Sequence, residues 1–306
     1  MFCFRLYVLY DIWVAPGRDR DITASHLKRA YSDSLGLRFL REQATVGQFI
    51  FTTREARPVA ARLGISESYL RKLLHQLAAG GWLMRLRDGL YAGTGSLSGA
   101  AEIHPFAIAN RLVTPSAVGH WSAMSHHGLA EQIPRVVTSF TPMRFMTPSM
   151  RTKTKQTDGS KQAWQVEAVR YEYVIVKPEF FFGIEEVWVD QRFRISITDK
   201  ERTMLEGFAS PRVFGGMGEV LGILGEHLNE FDMKKLVAYA LRYGKGSVIK
   251  RLGWAMERAG APAAALVPLA EIPVSGVRVL DPTGPRTGPC DGRWMIQDNL
   301  AAGRGR

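Results

Sequence analysis

Residues 58–91 read PVAARLGISESYLRKLLHQLAAGGWLMRLRDGLY. They predict two helices joined by a turn at Gly64, the second helix ending at Gly80. Two short strands then flank Asp88-Gly89, a pair that supplies the positive φ values of a tight hairpin turn. This order of elements is typical of a helix-turn-helix followed by a β-hairpin wing.

The second of these helices, expected at Glu67–Ala79, has one apolar and one polar face. Four leucines at positions 70, 73, 74 and 77 form a single stripe, because an α-helix repeats every 3.6 residues. Ser66 is a good N-cap, and Ser68, Arg71 and Lys72 face away from the stripe. An arginine can bind guanine O6 and N7 in the major groove, so this face predicts a recognition helix.

The flanking segments complete the predicted domain. A helix is expected near residues 35–45 and another before the Gly64 turn. Thr52-x-x-Glu55 is a capping-box pattern, but a helix begun there would enclose Pro58, so we predict a start at Pro58 instead. In the hairpin, Arg85 and Arg87 lie two residues apart on one strand, where they would contact DNA phosphates or the minor groove.

The charge of the chain favours a polyanionic partner. Its 306 residues carry 40 Lys and Arg against 29 Asp and Glu, a net charge of +11. Residues 38–88 alone hold nine basic and four acidic residues, which makes nucleic acid the leading class of partner. Cys3 and Cys290 stand far apart, which predicts neither a disulfide framework nor a zinc site.

No apolar run is long enough to span a bilayer, so we expect no membrane partner. The cysteine usage fits a reducing compartment, so we expect a cytoplasmic location. Residues 1–16 are apolar but lack the basic start and cleavage site of a signal peptide.

We expect an α+β chain in three parts. Residues 1–21 are an unassigned N-terminal tail, 22–95 a winged helix-turn-helix DNA-binding domain, and 100–300 a mixed α/β C-terminal domain. In the third part we expect a helix at Pro115–His127, and the basic run at 150–161 is either a solvated loop or a phosphate-contacting loop.

The sequence predicts no catalytic residues, no metal site and no cofactor. His126 and His127 are adjacent on a predicted helix and cannot both readily bind one ion. Asp232 is expected to be a helix N-cap, and Thr198-x-x-Glu201 a capping box, rather than parts of an acidic metal site.

Several motifs resemble, in order and joint extent, the AbiEi family of antitoxins and transcriptional regulators from type IV (AbiE) toxin–antitoxin systems. The similarity extends from Leu37 to Arg258 and on to Trp294. The motifs are FTT (51–53), AARLGIS (60–66), LLHQL (73–77), GWLMRLRDGLY (81–91), HPFAIA (104–109), PS (115–116), AMSHHGL (123–129), EQIP (131–134), FFGIEEVWV (181–189), DKE (199–201) and KRLG (250–253).

This resemblance implies an autorepressor that binds inverted repeats in double-stranded DNA of its own promoter. It also implies an antitoxin role, in phage defence, against a nucleotidyltransferase-like toxin with which it need not form a stable complex. The DNA-binding positions implied are Ser66, Ser68, Tyr69, Arg71, Lys72, Arg85 and Arg87. Two alternatives stay open: a DNA-targeted enzyme with a degenerate nuclease-like C-terminal domain, and a general winged-helix regulator with a ligand- or partner-binding domain.

Overall fold

The computed structural model describes residues 35–94, 103–131, 135–147 and 163–300, which form two compact units of mixed α/β structure. The first unit contains residues 35–85 and 91–94, and the second contains 86–90 and the described residues from 103 to 300. No helix in these ranges is long and apolar enough to cross a membrane. The expectations for residues 1–21, the basic run at 150–161 and Cys3 lie outside the described residues.

The first unit begins with a helix, a short strand and two more helices, and it ends in a hairpin. Its elements are α1 (Leu35–Thr45), β1 (Ile50–Thr52), α2 (Thr53–Arg62), α3 (Glu67–Ala79), β2 (Leu83–Arg87) and β3 (Leu90–Gly93). The three strands form a sheet in the order β1-β3-β2. The expected bounds of α1 and α3 are confirmed, and the hairpin tip at 86–90 groups with the second unit.

The predicted start of α2 at Pro58 is wrong. The helix begins at Thr53, and Thr52 forms the capping box with Glu55: the Glu55 N–H donates to Thr52 Oγ1 at 3.1 Å and the Thr52 N–H donates to Glu55 Oε2 at 2.6 Å. Pro58 therefore lies inside the helix. Two backbone donors satisfied by side chains at the N-terminus favour the earlier start, although Pro58 cannot donate to the carbonyl of Arg54.

The core of the first unit lies between its three helices and the sheet. The leucine stripe of α3 is buried as expected, and it packs with apolar residues of α1 and α2. Phe39 and Phe51 contact each other edge to face, with ring centroids 6.1 Å apart. Gln43 of α1 is also buried, and neither its Oε1 nor its Nε2 has a hydrogen-bond partner among the described residues.

The second unit combines a six-stranded sheet, seven α-helices and a small three-stranded sheet among its described residues. Its helices are α4 (Pro105–Leu112), α5 (His120–His126), α6 (Lys200–Ala209), α7 (Met217–His227), α8 (Met233–Tyr243), α9 (Gly246–Arg258) and α10 (Ala263–Ala270). Its strands are β4 (Ala117–Val118), β5 (Val136–Thr141), β6 (Ala163–Val166), β7 (Val169–Ile175), β8 (Ile184–Trp188), β9 (Arg194–Thr198), β10 (Arg278–Val279), β11 (Cys290–Asp291) and β12 (Ile296–Gln297).

The larger sheet has the order β6-β7-β5-β4-β9-β8, and the smaller one has the order β10-β12-β11. The predicted helix at Pro115–His127 is wrong in its first half, because Ala117 and Val118 form strand β4 between β5 and β9. Both residues are fully buried there, so pairing with two strands outweighs local helix preference.

Helix α6 is buried along almost its whole length. Its N-cap is Asp199, which accepts from the Arg202 N–H at 2.8 Å, so the predicted capping box of Thr198 and Glu201 is wrong. Glu201 instead accepts from the Asp232 N–H at 3.0 Å and pairs with Lys235 at 2.9 Å. A charged partner on α8 thus competes successfully for this carboxylate.

Helix α9 contacts Trp294 at a glycine. The ring of Trp294 lies against Gly253, where a β-carbon would overlap it. The indole N–H donates to Glu257 of the same helix at 2.6 Å, and the whole side chain is buried. Gly253 therefore allows the indole to lie directly on the helix backbone.

Candidate nucleic-acid interface

The start of helix α3 is held by serine hydroxyls. Ser66 Oγ accepts from the Tyr69 N–H at 3.3 Å, which satisfies one free donor of the first turn. Ser68 Oγ lies 3.2 Å from Ser66 Oγ, and both side chains are exposed. The helix is reached through a turn at Gly64, whose φ of +69° is a conformation that other residues rarely adopt.

The outward face of α3 presents polar and cationic groups. The side chain of Arg71 is 73% exposed, whereas its neighbour Leu70 is only 1% exposed. Lys72 and His75 are also exposed. Tyr69, which borders the leucine stripe, is 41% exposed and so belongs to the outward face.

A carboxylate links this face to the preceding helix. Glu67 Oε1 lies 2.5 Å from Nη2 of Arg57 on α2 and 3.5 Å from Nη2 of Arg71 one turn later on α3. Neither a role for Arg57 nor this pairing was predicted from the sequence. The spacing of four residues between Glu67 and Arg71 could have predicted their ion pair, but no local pattern connects Arg57 with Glu67 across the turn.

The two hairpin arginines have different surroundings. Arg85 is exposed on β2 and falls in the first unit with α3. Arg87 falls in the second unit, where its Nε donates to the carbonyl of Leu112 at 3.1 Å. Gly89 has the positive φ of 67° expected of the turn. The structure thus groups Arg85, but not Arg87, with the residues of α3.

The histidine and acidic positions have structural partners. His127 Nε2 donates to the carbonyl of Thr198 at 2.7 Å, while burial lowers the pKa of His126. Asp232 is confirmed as an N-cap, accepting from the Lys235 N–H at 3.1 Å. Within the described ranges, no three His, Cys, Asp or Glu side chains are grouped so that they could hold a metal ion.

The chain matches no family model and no curated protein. Among solved structures it is similar to the RV2827C protein from Mycobacterium tuberculosis, with 14% sequence identity and a TM-score of 0.61. The match covers 88% of this chain and 94% of that one. At 14% identity, this structural similarity shows a shared fold across most of the length of both chains.

Proposed function

We propose that this chain is a sequence-specific double-stranded-DNA-binding regulator in which the first unit acts as a winged helix and α3 as its recognition helix. The observation that carries the proposal is the division of α3 into a buried leucine stripe and an exposed face with Ser68, Arg71 and Lys72. A helix of this kind fits the major groove, where its N-terminal residues reach base edges.

The order of elements in the first unit supports this proposal. Helices α2 and α3 are joined by the short turn at Gly64, as in a helix-turn-helix. The β2–β3 hairpin follows α3, and β3 lies between β1 and β2 in the sheet. A hairpin in this position is suited to contact the DNA backbone beside the groove.

Each outward residue has a role that its chemistry suits. Arg71 is the best candidate for a bidentate contact with guanine, because its planar guanidinium matches the O6 and N7 acceptors. Lys72 and Arg85 would neutralise phosphates and so contribute affinity without base preference. Ser66, Ser68 and Tyr69 would donate to phosphate or base acceptors near the start of the helix. Arg87 would have to exchange its bond with Leu112 to reach a phosphate.

The wider biological role rests on the resemblance to the AbiEi antitoxins. We accordingly propose autorepression from inverted repeats in the chain's own promoter, in the cytoplasm and without catalysis. We also propose protection against a nucleotidyltransferase-like toxin. No surface is assigned to the toxin, since family members need not bind it stably. Growth rescue on co-expression with such a toxin would test this part.

The first experiment is a binding titration with two duplexes, one from immediately upstream of the gene and one of shuffled sequence, each at two salt concentrations. We expect tight binding to the upstream duplex that persists at the higher salt concentration, and weak, salt-sensitive binding to the shuffled one. Equal affinity for both duplexes would contradict the proposal. Incubation with Mg²⁺ should leave both duplexes uncut.

The assignment of α3 is tested by Arg71→Ala. We expect a loss of about 1–3 kcal/mol of binding free energy on the upstream duplex and a relaxed base preference, because the bidentate contact is removed. Arg38→Ala is the matched control, since it removes the same charge from an exposed position on α1. The recognition helix would be misassigned if both variants lost the same affinity on both duplexes.

A further inference from the structure

The ion pairs of Glu67 place a negative charge on the face that we propose binds DNA. The carboxylate is 52% exposed, and its partners Arg57 and Arg71 are 53% and 73% exposed. Glu67 is the first residue of α3, so it lies at the end of the helix that a recognition helix directs towards the bases. A carboxylate in this position repels the phosphates on both sides of the groove.

Glu67 contributes little to folding beyond a favourable charge at the positive end of the helix. Ion pairs between exposed side chains contribute little to stability. Ser66 already caps the helix through its hydroxyl, so the end of α3 does not depend on Glu67 for a hydrogen-bond acceptor. The effect of the carboxylate is therefore expected mainly in the behaviour of the two arginines.

The two pairs differ in length. The 2.5 Å contact with Arg57 is a hydrogen-bonded ion pair, whereas the 3.5 Å contact with Arg71 is at the limit of hydrogen-bond distance. Arg71 is consequently the partner that is easier to release. A guanine edge offers it two acceptors in one plane, whereas a phosphate approached on the same side brings a second negative charge close to Glu67.

We propose that Glu67 determines specificity on this surface by holding Arg57 and Arg71 away from indiscriminate phosphate contacts and releasing Arg71 to a guanine edge. The inference rests on the proposed DNA-binding function and adds a residue that lowers affinity for the wrong DNA. The ligand of this surface is double-stranded DNA with a guanine in the major groove opposite the start of α3.

The test compares Glu67→Gln with Glu42→Gln, since each removes one carboxylate from the first unit. Glu42 is on α1 and lies 4.0 Å from Arg62, with neither residue on α3. Dissociation constants are measured for the upstream and shuffled duplexes over a series of salt concentrations. We expect Glu67→Gln to tighten binding to the shuffled duplex by about tenfold and to steepen its salt dependence by about one to two ions.

The upstream duplex should gain less affinity than the shuffled one, so the preference for it should fall by at least about threefold. Glu42→Gln should change both affinities by the same small factor and leave the preference intact. Unfolding midpoints of both variants should stay close to that of the parent, because exposed ion pairs and a single charge at a helix start contribute little to folding.

A double variant tests whether Glu67 acts through Arg71. In an Arg71→Ala background, Glu67→Gln should gain clearly less affinity for the shuffled duplex than it does in the parent. The inference is overturned if Glu67→Gln and Glu42→Gln prefer the upstream duplex to the same extent, or if Glu67→Gln and Arg71→Ala act additively. In either case the DNA-binding function stands. If the parent itself prefers neither duplex, the proposed function fails first.

Discussion

At the scale of single residues, periodicity separates buried positions from exposed ones, but it does not identify ionic partners. Leu70 and Arg71 are adjacent in sequence, yet Leu70 is buried and Arg71 is exposed, because the helical repeat directs them to different sides of α3. The pairing of Glu67 with Arg57 depends on how two helices meet across the Gly64 turn. A contact between two helices is set by tertiary structure. Sequence patterns could therefore indicate only the pairing of Glu67 with Arg71, which lies within one helix.

The cost of burying the Gln43 amide in the free energy of unfolding can be measured. Its amide is buried without a hydrogen-bond partner among the described residues, and a buried unpaired amide is unfavourable. We expect Gln43→Met, a substitution of similar shape, to raise the free energy of unfolding by about 1 kcal/mol. Denaturant titration measures this, and Gln76→Met at an exposed position of α3 should give no gain. A loss of stability in Gln43→Met would show that the amide is satisfied in solution.

At the scale of elements, predictions succeeded where the local signals agreed. Helix α3 has a cap, a leucine stripe and a glycine at its end, and all three agree on its bounds. At α2 two signals conflicted, the capping box at Thr52 and the proline at 58. The predicted start followed the proline, whereas the helix follows the capping box. A capping box acts at the helix end itself, whereas the cost of an early proline falls on a single hydrogen bond.

Strands β4 and β5 of the second unit were harder to predict, because they pair with strands that are distant in sequence. Strand β5 pairs in parallel with β7, from Val136 opposite Arg170 to Thr141 opposite Ile175, and sequence analysis did not identify it. Strand β4 is only two residues long and owes its conformation to neighbours on both sides. No window of local sequence contains that information.

The proline in α2 leads to a prediction at this scale. Pro58 is exposed and inside the helix, so Pro58→Ala restores a donor for the carbonyl of Arg54 without disturbing the core. We expect a gain of about 1–2 kcal/mol in the free energy of unfolding, after allowing for the greater freedom of the unfolded chain. Pro262→Ala is the control, because that proline is at the N-cap of α10 and interrupts no bond. Equal effects of the two substitutions would contradict this explanation.

At the scale of the whole molecule, buried titratable groups couple folding to pH. Burial lowers the pKa of His104 and of His120 to about 4, and it lowers that of His126 in the same direction. His104 Nδ1 accepts from the Phe106 N–H at 3.1 Å as the cap of α4, a bond that protonation would break. Burial raises the pKa of Glu206 to about 7, although Arg202 lies 3.1 Å from its carboxylate.

Below neutral pH the buried histidines and Glu206 have opposite effects on folding stability. Between about pH 6.5 and 4 the unfolded chain binds a proton at His104 and at His120 that the folded chain does not, so these histidines make stability fall on acidification. The lowered pKa of His126 acts in the same sense. Glu206 acts in the opposite sense, since between about pH 7 and 4.5 the folded chain binds the proton and the unfolded chain does not. The histidines outnumber the glutamate, so the stability of the second unit should fall as pH falls.

The prediction is a loss of about 1 kcal/mol per pH unit between pH 6 and 5, read from urea unfolding curves. His104→Asn keeps a capping acceptor that does not titrate in this range, so it should lower the slope by about one proton. Stability at pH 7 should change little. A slope identical to that of the parent would mean that His104 is protonated in the folded chain.

The contact between Gly253 and Trp294 limits which substitutions the chain tolerates at these two positions. A library of random variants selected for folding should retain glycine at 253, although glycine is a poor helix former, because any side chain meets the indole. Gly222 in α7 has open space around it and should be replaced freely, often by alanine. Tolerance at 253 should appear only in variants whose residue 294 has become smaller. The two positions, 41 residues apart in the chain, should therefore vary as a pair.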